Sequence, residues 1–273
     1  MTLQDLVAHD LLSTDAAGEP SSGRELTLAR LLHRDRAVRR AAYSEALARR
    51  WIDTTGRTVV RALLVAPQVG AERRLVAGRR LAAAAPSHTT FIGDLDGAIY
   101  LATRDSFDEK VLDEWMRAES LRLGVPLRAL GSAEHRGASG DLLESAEQAR
   151  VAADLTAALP ELQPAQNIDA LGGWVLLHAV AADAPRLADI SPAAEALARS
   201  GDAVQRETIE TYLDAGGRTS VACARLHIHR TTLYYRLDNM PALVREALAD
   251  GLKRSTLHLS LKLMRLREAT GAV

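Results

Sequence analysis

Apolar and polar positions along the chain follow different periods, and in the middle third the period changes repeatedly between strand and helix. Residues 58–66 (TVVRALLVA) are apolar and β-branched, which is typical of a buried strand, whereas residues 107–123 have the spacing of an amphipathic helix. The predicted strands are 58–66, 89–92, 98–103 and 125–133, and the predicted helices are 72–85, 107–123 and 141–159. The order βαββαβα predicts a four-stranded antiparallel sheet covered on one face by helices, the ferredoxin-like α+β arrangement.

The final third of the chain has helical periodicity alone. After the polar, proline-containing stretch 158–169, short helices are predicted at 171–181 and 191–199, and Asp202 is predicted to cap a further helix. Apolar residues of the last predicted helix, about 251–268, form two lines. These are Leu257, Leu261 and Met264 on one line and Leu259, Leu263 and Leu266 on the other. We expect one line to pack within the domain and the other to meet a second subunit, which predicts a homodimer.

Breaker-rich and polar stretches indicate where the domains divide. Residues 1–23 end in a cluster of Gly, Pro and Ser and are interpreted as an arm, and residues 24–51 have the spacing of one or two amphipathic helices. The predicted divisions are an N-terminal arm with helices (1–57), a middle α+β domain (58–160), a helical connector (161–200) and an all-α domain (201–273).

The composition is that of an ordinary globular protein, with 47% hydrophobic and 25% charged residues among 273. No uninterrupted apolar run approaches the roughly 20 residues of a membrane span, and the N-terminus lacks the basic and apolar regions of a signal peptide. The single cysteine, Cys223, excludes an intramolecular disulfide and a cysteine-clustered metal site. We therefore expect a cytoplasmic protein with no membrane partner and no cofactor.

Charge is distributed unevenly, although the formal net charge is only −1. Residues 1–201 carry 23 basic and 27 acidic side chains, whereas residues 202–273 carry 11 basic and 8 acidic ones. Within the basic part, the 23 residues 215–237 contain four arginines and no Asp or Glu. This local excess of positive charge predicts an anionic partner.

The segment 218–240 has the spacing of a helix-turn-helix motif. Thr219 or Ser220 is predicted to cap a first short helix, a turn follows at 227–229, and a second helix starts near Arg230.

Small and apolar residues within this segment account for its interior. Two short helices that cross steeply need a small residue where their backbones approach, and Ala222 with Cys223 supplies it. Cys223 is therefore expected to be a packed side chain, not a nucleophile or redox switch. The other predicted interior contacts are Leu226, Ile228, Leu233 and Leu237.

The remaining side chains of the second helix are cationic or hydrogen-bonding. In a recognition helix the first turns enter the major groove, where Arg binds guanine through two hydrogen bonds and Thr or Tyr reaches base edges or phosphates. Arg218 and Arg225 would contact phosphates, which position the protein without specifying sequence. For His227 and His229 a role in the turn or at a phosphate is favoured over a metal site, because no second pair is near. The predicted DNA-binding residues are Arg218, Arg225, His229, Arg230, Thr231, Thr232, Tyr234, Tyr235 and Arg236.

The run ARLHIHRTTLYYRLDNM, with RETIETYLDAGGRTSVA before it and LADGLKRSTLHLSLKLMRL after it, resembles the C-terminal helix-turn-helix domain of PucR/CdaR-type bacterial transcription regulators. The residues that carry the resemblance are Thr208, Ile209, Tyr212, Leu213, His229, Arg230, Thr231, Thr232, Leu233, Tyr235, Arg236 and Leu237. Thr231 replaces the usual Asn of the family pattern, and Ile209 replaces the usual Leu.

Residues 58–159 are also similar to the GGDEF-like domain that precedes this motif in the family, so that the resemblance spans about 58–270. It implies a transcriptional regulator that binds double-stranded DNA and responds to a metabolic signal, with a small-molecule effector of unknown identity. The middle domain would serve dimerisation or signal relay.

Nucleotide cyclases share the βαββαβ order, so the residues decide whether catalysis is expected. A diguanylate cyclase needs a Gly-Gly-Asp/Glu-Glu-Phe hairpin and an acid at the end of its first strand, because two divalent ions hold the triphosphate. Here the hairpin reads GDLDG at 93–97, and residues 58–66 contain no acid. We interpret Asp94 and Asp96 as turn formers and the domain as degenerate, which predicts that the protein is not an enzyme.

Two alternatives to a DNA-binding regulator remain open at this point. Pairs of short helices around a small residue occur in many all-helical proteins, so the C-terminal bundle could belong to a ligand-sensing or protein-interaction module that does not bind DNA. A nucleotide cyclase is the other alternative. The acid-free segment 215–237 and the Arg-Thr-Thr start of the second helix favour DNA binding.

Overall fold

The computed structural model describes residues 23–52, 57–104, 108–135, 140–163, 167–181 and 186–271. The chain divides into two compact units, Met1–Val175 and Leu176–Val273. The predicted N-terminal arm lies outside the described residues except for Gly23, where the first helix begins. None of the helices within the described ranges is long and apolar enough to cross a membrane.

The first unit is built around the predicted four-stranded sheet. The strands form one antiparallel sheet in the order β2-β3-β1-β4, which is the ferredoxin-like order that the sequence predicts. Its elements are α1 (Gly23–Ala29), a 3₁₀ turn (Arg30–Leu32), α2 (Arg36–Ala48), β1 (Thr58–Val65), α3 (Ala71–Ala84), β2 (Thr89–Leu95), β3 (Ala98–Arg104), α4 (Glu109–Arg122), β4 (Leu127–His135), α5 (Leu143–Ala158), a second 3₁₀ turn (Pro160–Leu162), α6 (Ile168–Leu171) and the start of α7 (Gly173–Ala181).

Helices cover both faces of this sheet, so the prediction of a single covered face is wrong. α3 and α4 pack on one face, over the apolar side chains of β1, β3 and β4. On the other face α5 lies so close to β4 that a Cβ on Gly131 would come within 2.2 Å of the Ala149 carbonyl oxygen and of the Ala153 amide nitrogen. α2 reaches β4 as well, since the Tyr43 hydroxyl is 2.9 Å from Nε2 of His135. Every position of β1 is consequently buried.

The two aspartates of the hairpin between β2 and β3, Asp94 and Asp96, have different roles. Asp96 and Gly97 form the turn with φ angles of 49° and 75°, the left-handed pair that a two-residue Asp-Gly hairpin requires, so the turn role of Asp96 is confirmed. Asp94 instead lies within β2, and both its carboxylate oxygens accept from Nε of Arg74, at 3.1 and 2.9 Å. The predicted turn role of Asp94 is therefore wrong, because the carboxylate pairs with α3.

A buried ion pair joins α4 to the centre of the sheet. Arg61 of β1 is 1% exposed, and its Nε donates to Oδ1 of Asp113 on α4 at 3.0 Å. Nη1 of the same guanidinium donates to the Thr103 hydroxyl on β3, and Nη2 has no hydrogen-bond partner among the described residues. A charge this deep in an apolar core is tolerated only while its counter-charge is present.

We expect Asp113→Ala to lower the free energy of unfolding by about 3–5 kcal/mol, because it leaves the Arg61 guanidinium buried without a carboxylate. Arg122→Ala removes the ion pair of the exposed Arg122 side chain with Glu119 from the same helix, and should cost less than about 1 kcal/mol. Urea denaturation followed by circular dichroism measures both values. Equal losses in the two variants would contradict the role given to the buried pair.

All the secondary-structure elements in the described parts of the second unit are helices, as predicted. The Asp202 side chain caps α10 by accepting from the Gln205 amide at 2.6 Å, which confirms the predicted cap. The helix α13 was not predicted from the sequence pattern. After α7 the helices are α8 (Leu187–Ile190), α9 (Pro192–Ser200), α10 (Ala203–Asp214), α11 (Thr219–Leu226), α12 (Arg230–Asp238), α13 (Ala242–Ala249) and α14 (Gly251–Thr270). Their core includes Leu197, Ile209, Val244, Leu257 and Leu261.

Charged side chains also join α10 to α14. Nζ of Lys262 is 2.6 Å from the Glu210 carboxylate and 2.7 Å from Oδ2 of Asp214, while Nε2 of His258 is 2.7 Å from Oδ1 of Asp214. Nη1 of Arg265 adds a 3.2 Å contact with Glu210. Partial burial acts to raise the pKa of Asp214, but the hydrogen bonds from His258 and Lys262 outweigh it and lower the pKa to about 2.

The stability of the second unit should therefore fall as the pH is lowered from about 4 towards about 2. An ionised Asp214 stabilises the folded state above its ordinary pKa of 3.8, and this contribution is lost as the pH falls through the folded value of about 2. Thermal unfolding across this range should show a flatter pH dependence for Asp214→Asn than for the wild type. Asp238→Asn, at the exposed end of α12, is the control, and an unchanged slope in Asp214→Asn would refute the assignment.

Candidate nucleic-acid interface

The helix-turn-helix lies where the sequence predicts it, with α11 and α12 joined by residues 227–229. His227 adopts a left-handed conformation at φ 53°, which ends α11 with its amide bonded to the Cys223 carbonyl. Nδ1 of His229 accepts from the Thr231 amide at 3.4 Å and is 3.0 Å from the Thr231 hydroxyl, so that His229 caps α12. Both histidines therefore shape the turn.

The start of α11 differs from its prediction. Thr219 is the first helical residue, and the preceding residue, Arg218, makes no side-chain cap, so the predicted capping by Thr219 or Ser220 is wrong. The chain enters α11 through Gly216 and Gly217, whose φ angles of 63° and 75° suit glycine. The sequence analysis did not identify this turn, although a Gly-Gly pair between two helical segments is a recognised turn signal.

Small side chains fill the crossing of α11 and α12. Ala215, Ala222 and Leu233 have no exposed surface, and Ala222 is the small contact that the sequence predicts. Cys223 is half-buried and packs against this cluster, as expected of a packed side chain. The other half-buried side chains around it are Tyr212, Val221, Leu226, Ile228 and Leu237.

Most of the predicted DNA-binding side chains lie on the surface. These side chains are cationic or carry hydrogen-bond donors, and the segment 215–237 to which they belong contains no acid. The exposed members are Arg218, Arg225, His229, Arg230, Thr231, Thr232, Tyr234 and Tyr235.

Arg230 and Tyr234 interact with each other at the start of α12. Nε and Nη2 of Arg230 both donate to the Tyr234 hydroxyl, at 3.1 and 2.8 Å, and Cζ lies 5.2 Å from the centre of the tyrosine ring. The hydrogen bond with Tyr234 raises the pKa of Arg230, and the same hydrogen bond lowers the pKa of Tyr234. Arg230 and Tyr234 are both exposed, so the pair is available to a partner.

Arg236 is placed differently from the other predicted contacts. It is half-buried, and its Nη1 donates to the hydroxyl of Thr208 on α10 at 3.1 Å. Thr208 itself has no exposed surface. Arg236 therefore ties α12 to α10, a packing role that its position on the recognition helix does not reveal in the sequence.

An α-helix fits the major groove of B-form DNA, and the first five residues of α12 carry a guanidinium, two threonine hydroxyls and a phenol at its surface. These groups can donate to guanine or accept from base edges. Arg218 and Arg225 lie on the approach to α11 and on α11 itself, as phosphate contacts of a helix-turn-helix do. The arrangement is suited to binding an anionic duplex.

The chain is similar to known proteins, and its family match agrees with this geometry. A crystal structure of a regulator of polyketide synthase expression from Bifidobacterium adolescentis is similar at 14% identity, covering 90% of this chain and 98% of that one, with a TM-score of 0.39. No curated protein matches the chain significantly. Residues 205–263 match the PucR C-terminal helix-turn-helix domain. The chain therefore carries the DNA-binding domain of PucR-type regulators, as the sequence resemblance predicts.

Proposed function

We propose that the protein is a transcriptional regulator that reads a promoter site through α12. The observation that carries the proposal is the exposed start of this helix, with Arg230, Thr231 and Tyr234 at the surface of a domain of the PucR type. The paired donors of Arg230 suit the O6 and N7 acceptors of guanine, and the hydroxyls suit base edges or nearby phosphates.

Binding strength would come mainly from phosphate contacts. Arg218 and Arg225 are exposed, and no carboxylate between residues 215 and 237 opposes them. Each phosphate contact releases counterions from the duplex, so the affinity should fall steeply with salt concentration. The same contacts would fix the position of α12 in the groove without selecting a sequence.

The first unit is proposed to relay a metabolic signal, carried by a small-molecule effector, to the DNA-binding domain. Two contacts support a non-catalytic interpretation of this GGDEF-like domain. The central strand β1 carries the buried Arg61 and no acid, and Asp94 beside the hairpin is engaged by Arg74. A cyclase needs carboxylates in these regions for its metal ions.

Specific DNA binding should weaken when Arg230 is removed. We expect Arg230→Ala to cost about 1–3 kcal/mol on the preferred site, because the base contact is lost. Arg218→Ala should weaken binding to all sequences about equally and reduce the salt slope by about 1, as loss of one phosphate contact does. Fragments enriched from sheared genomic DNA of the source, in excess competitor, supply the site, and fluorescence anisotropy measures the affinities.

Arg199→Ala is the matched control, since this exposed arginine of α9 pairs with Glu195 away from the motif. It should retain wild-type affinity and salt dependence. If Arg230→Ala and Arg218→Ala both bind like the wild type, α12 is not the DNA contact. Failure of the wild type to enrich any fragment would favour a helical bundle that does not bind DNA.

We also propose that the protein is a homodimer, because a pseudo-palindromic DNA site has two symmetry-related halves. Two copies of α12 placed about one helical turn apart would read a pseudo-palindrome, with far higher affinity than one copy. The second apolar line of α14 contributes less to this argument than its sequence pattern indicates. Leu263 and Leu266 are buried by the chain itself, and only Leu259 of that line is exposed, at 44%.

Sedimentation equilibrium at micromolar concentration should give twice the chain mass of 29.4 kDa for the free protein, and that mass plus one duplex when the enriched DNA fragment is bound. Reducing the spacing between the two half-sites by about half a helical turn should abolish high-affinity binding, because one copy of α12 would then face away from its groove. A monomer in both conditions would refute the dimer, and indifference to spacing would refute paired reading.

A further inference from the structure

We infer that Tyr234 is a positioning residue that holds the Arg230 guanidinium in one orientation and thereby sets the base preference of α12. The inference rests on the proposed function, because it concerns how Arg230 meets DNA. It adds a residue whose effect acts through another side chain and does not require a contact of its own with a base.

Tyr234 restrains Arg230 at two points. It lies one helical turn after Arg230, so the two side chains are neighbours on the same face of α12. The tyrosine hydroxyl accepts from both Nε and Nη2, while Cζ of the guanidinium lies 5.2 Å from the ring centre. An exposed arginine otherwise samples many rotamers, and these contacts favour one of them.

The contacts of Tyr234 leave a defined edge of the guanidinium available. Nε and Nη2 form the side edge of the planar fork, and Tyr234 occupies that edge. Nη1 keeps both its hydrogens and Nη2 keeps its second, so the terminal edge can still donate two parallel hydrogen bonds. Guanine presents its O6 and N7 acceptors in the major groove with the spacing that such an edge fits.

The restraint bears on specificity because an arginine at this position has two competing uses. A mobile guanidinium can turn to a phosphate, which strengthens binding to any sequence. A guanidinium that is already oriented loses less conformational entropy when it binds a base, so the base contact is favoured. Removing the tyrosine hydroxyl should therefore reduce the preference for guanine while leaving non-specific affinity nearly unchanged.

The test compares Tyr234→Phe with the wild type on a set of duplexes. The set contains the enriched site and its three single-base-pair variants at the position where Arg230→Ala loses its preference. The wild type should prefer guanine there by roughly tenfold or more. Tyr234→Phe should reduce this ratio to about a third or less, with an unchanged salt slope and unchanged affinity for competitor DNA.

Tyr100→Phe is the control, because it also removes a tyrosine hydroxyl, here from a buried side chain of the first unit. It should keep the wild-type base preference. Full guanine preference in Tyr234→Phe would overturn the inference. An equal loss of affinity for every duplex would overturn it too, since Tyr234 would then be a phosphate contact or a structural residue.

A measurement without DNA separates this inference from the proposed function. Relaxation of the Arg230 Nε–H group, measured by NMR on the free protein, should show a more restricted side chain than that of Arg225, which is exposed on α11. The restriction should disappear in Tyr234→Phe. If Arg230 is as mobile as Arg225 in the wild type, the inference is wrong even where Arg230 reads DNA. If the restriction is present but the wild type selects no DNA, the proposed function fails and the base-preference claim fails with it.

Discussion

The close approach of α11 and α12 is the contact on which the DNA-binding surface depends. Ala215, Ala222 and Leu233 are fully buried at the crossing, and interiors packed to this density do not accept a longer side chain without moving the backbone. Leu233 lies on the inner side of α12, and Tyr234, the next residue, is exposed. Any shift at the crossing therefore moves the whole exposed face of α12. The surface is held by packed helices, as precise recognition requires.

The elements of the first unit could be predicted from the sequence because each has a clear local period, and the Asp-Gly hairpin has a clear turn signal. The covering of both faces of the sheet by helices was not predicted in the same way. β1 reads TVVRALLVA, a run without polar alternation, and such a run is typical of a strand with both faces covered. Which helix covers the second face depends on Gly131 and its distant neighbours Ala149 and Ala153, and no local pattern contains that contact.

The helix-turn-helix site was also predictable only in part. The apolar interior of the motif could be predicted from helical spacing. Arg230 is not one of these interior residues, so its exposure could be predicted as well. Arg236 could not be separated from its neighbours, because its partner Thr208 is far away in sequence. The interaction of Arg230 with Tyr234 is local, at helical spacing of four residues, and the sequence contained that signal.

The buried pair of Arg61 and Asp113 restricts which substitutions are tolerated at two positions that are 52 residues apart. Loss of either charge alone leaves its partner buried without a counter-charge. Replacing both residues with apolar side chains of similar volume, by contrast, changes the stability little in many proteins. A lineage can therefore leave this arrangement only through paired changes or through a strongly destabilised intermediate. Placing a carboxylate at position 61 in the centre of the sheet would therefore require more than one substitution.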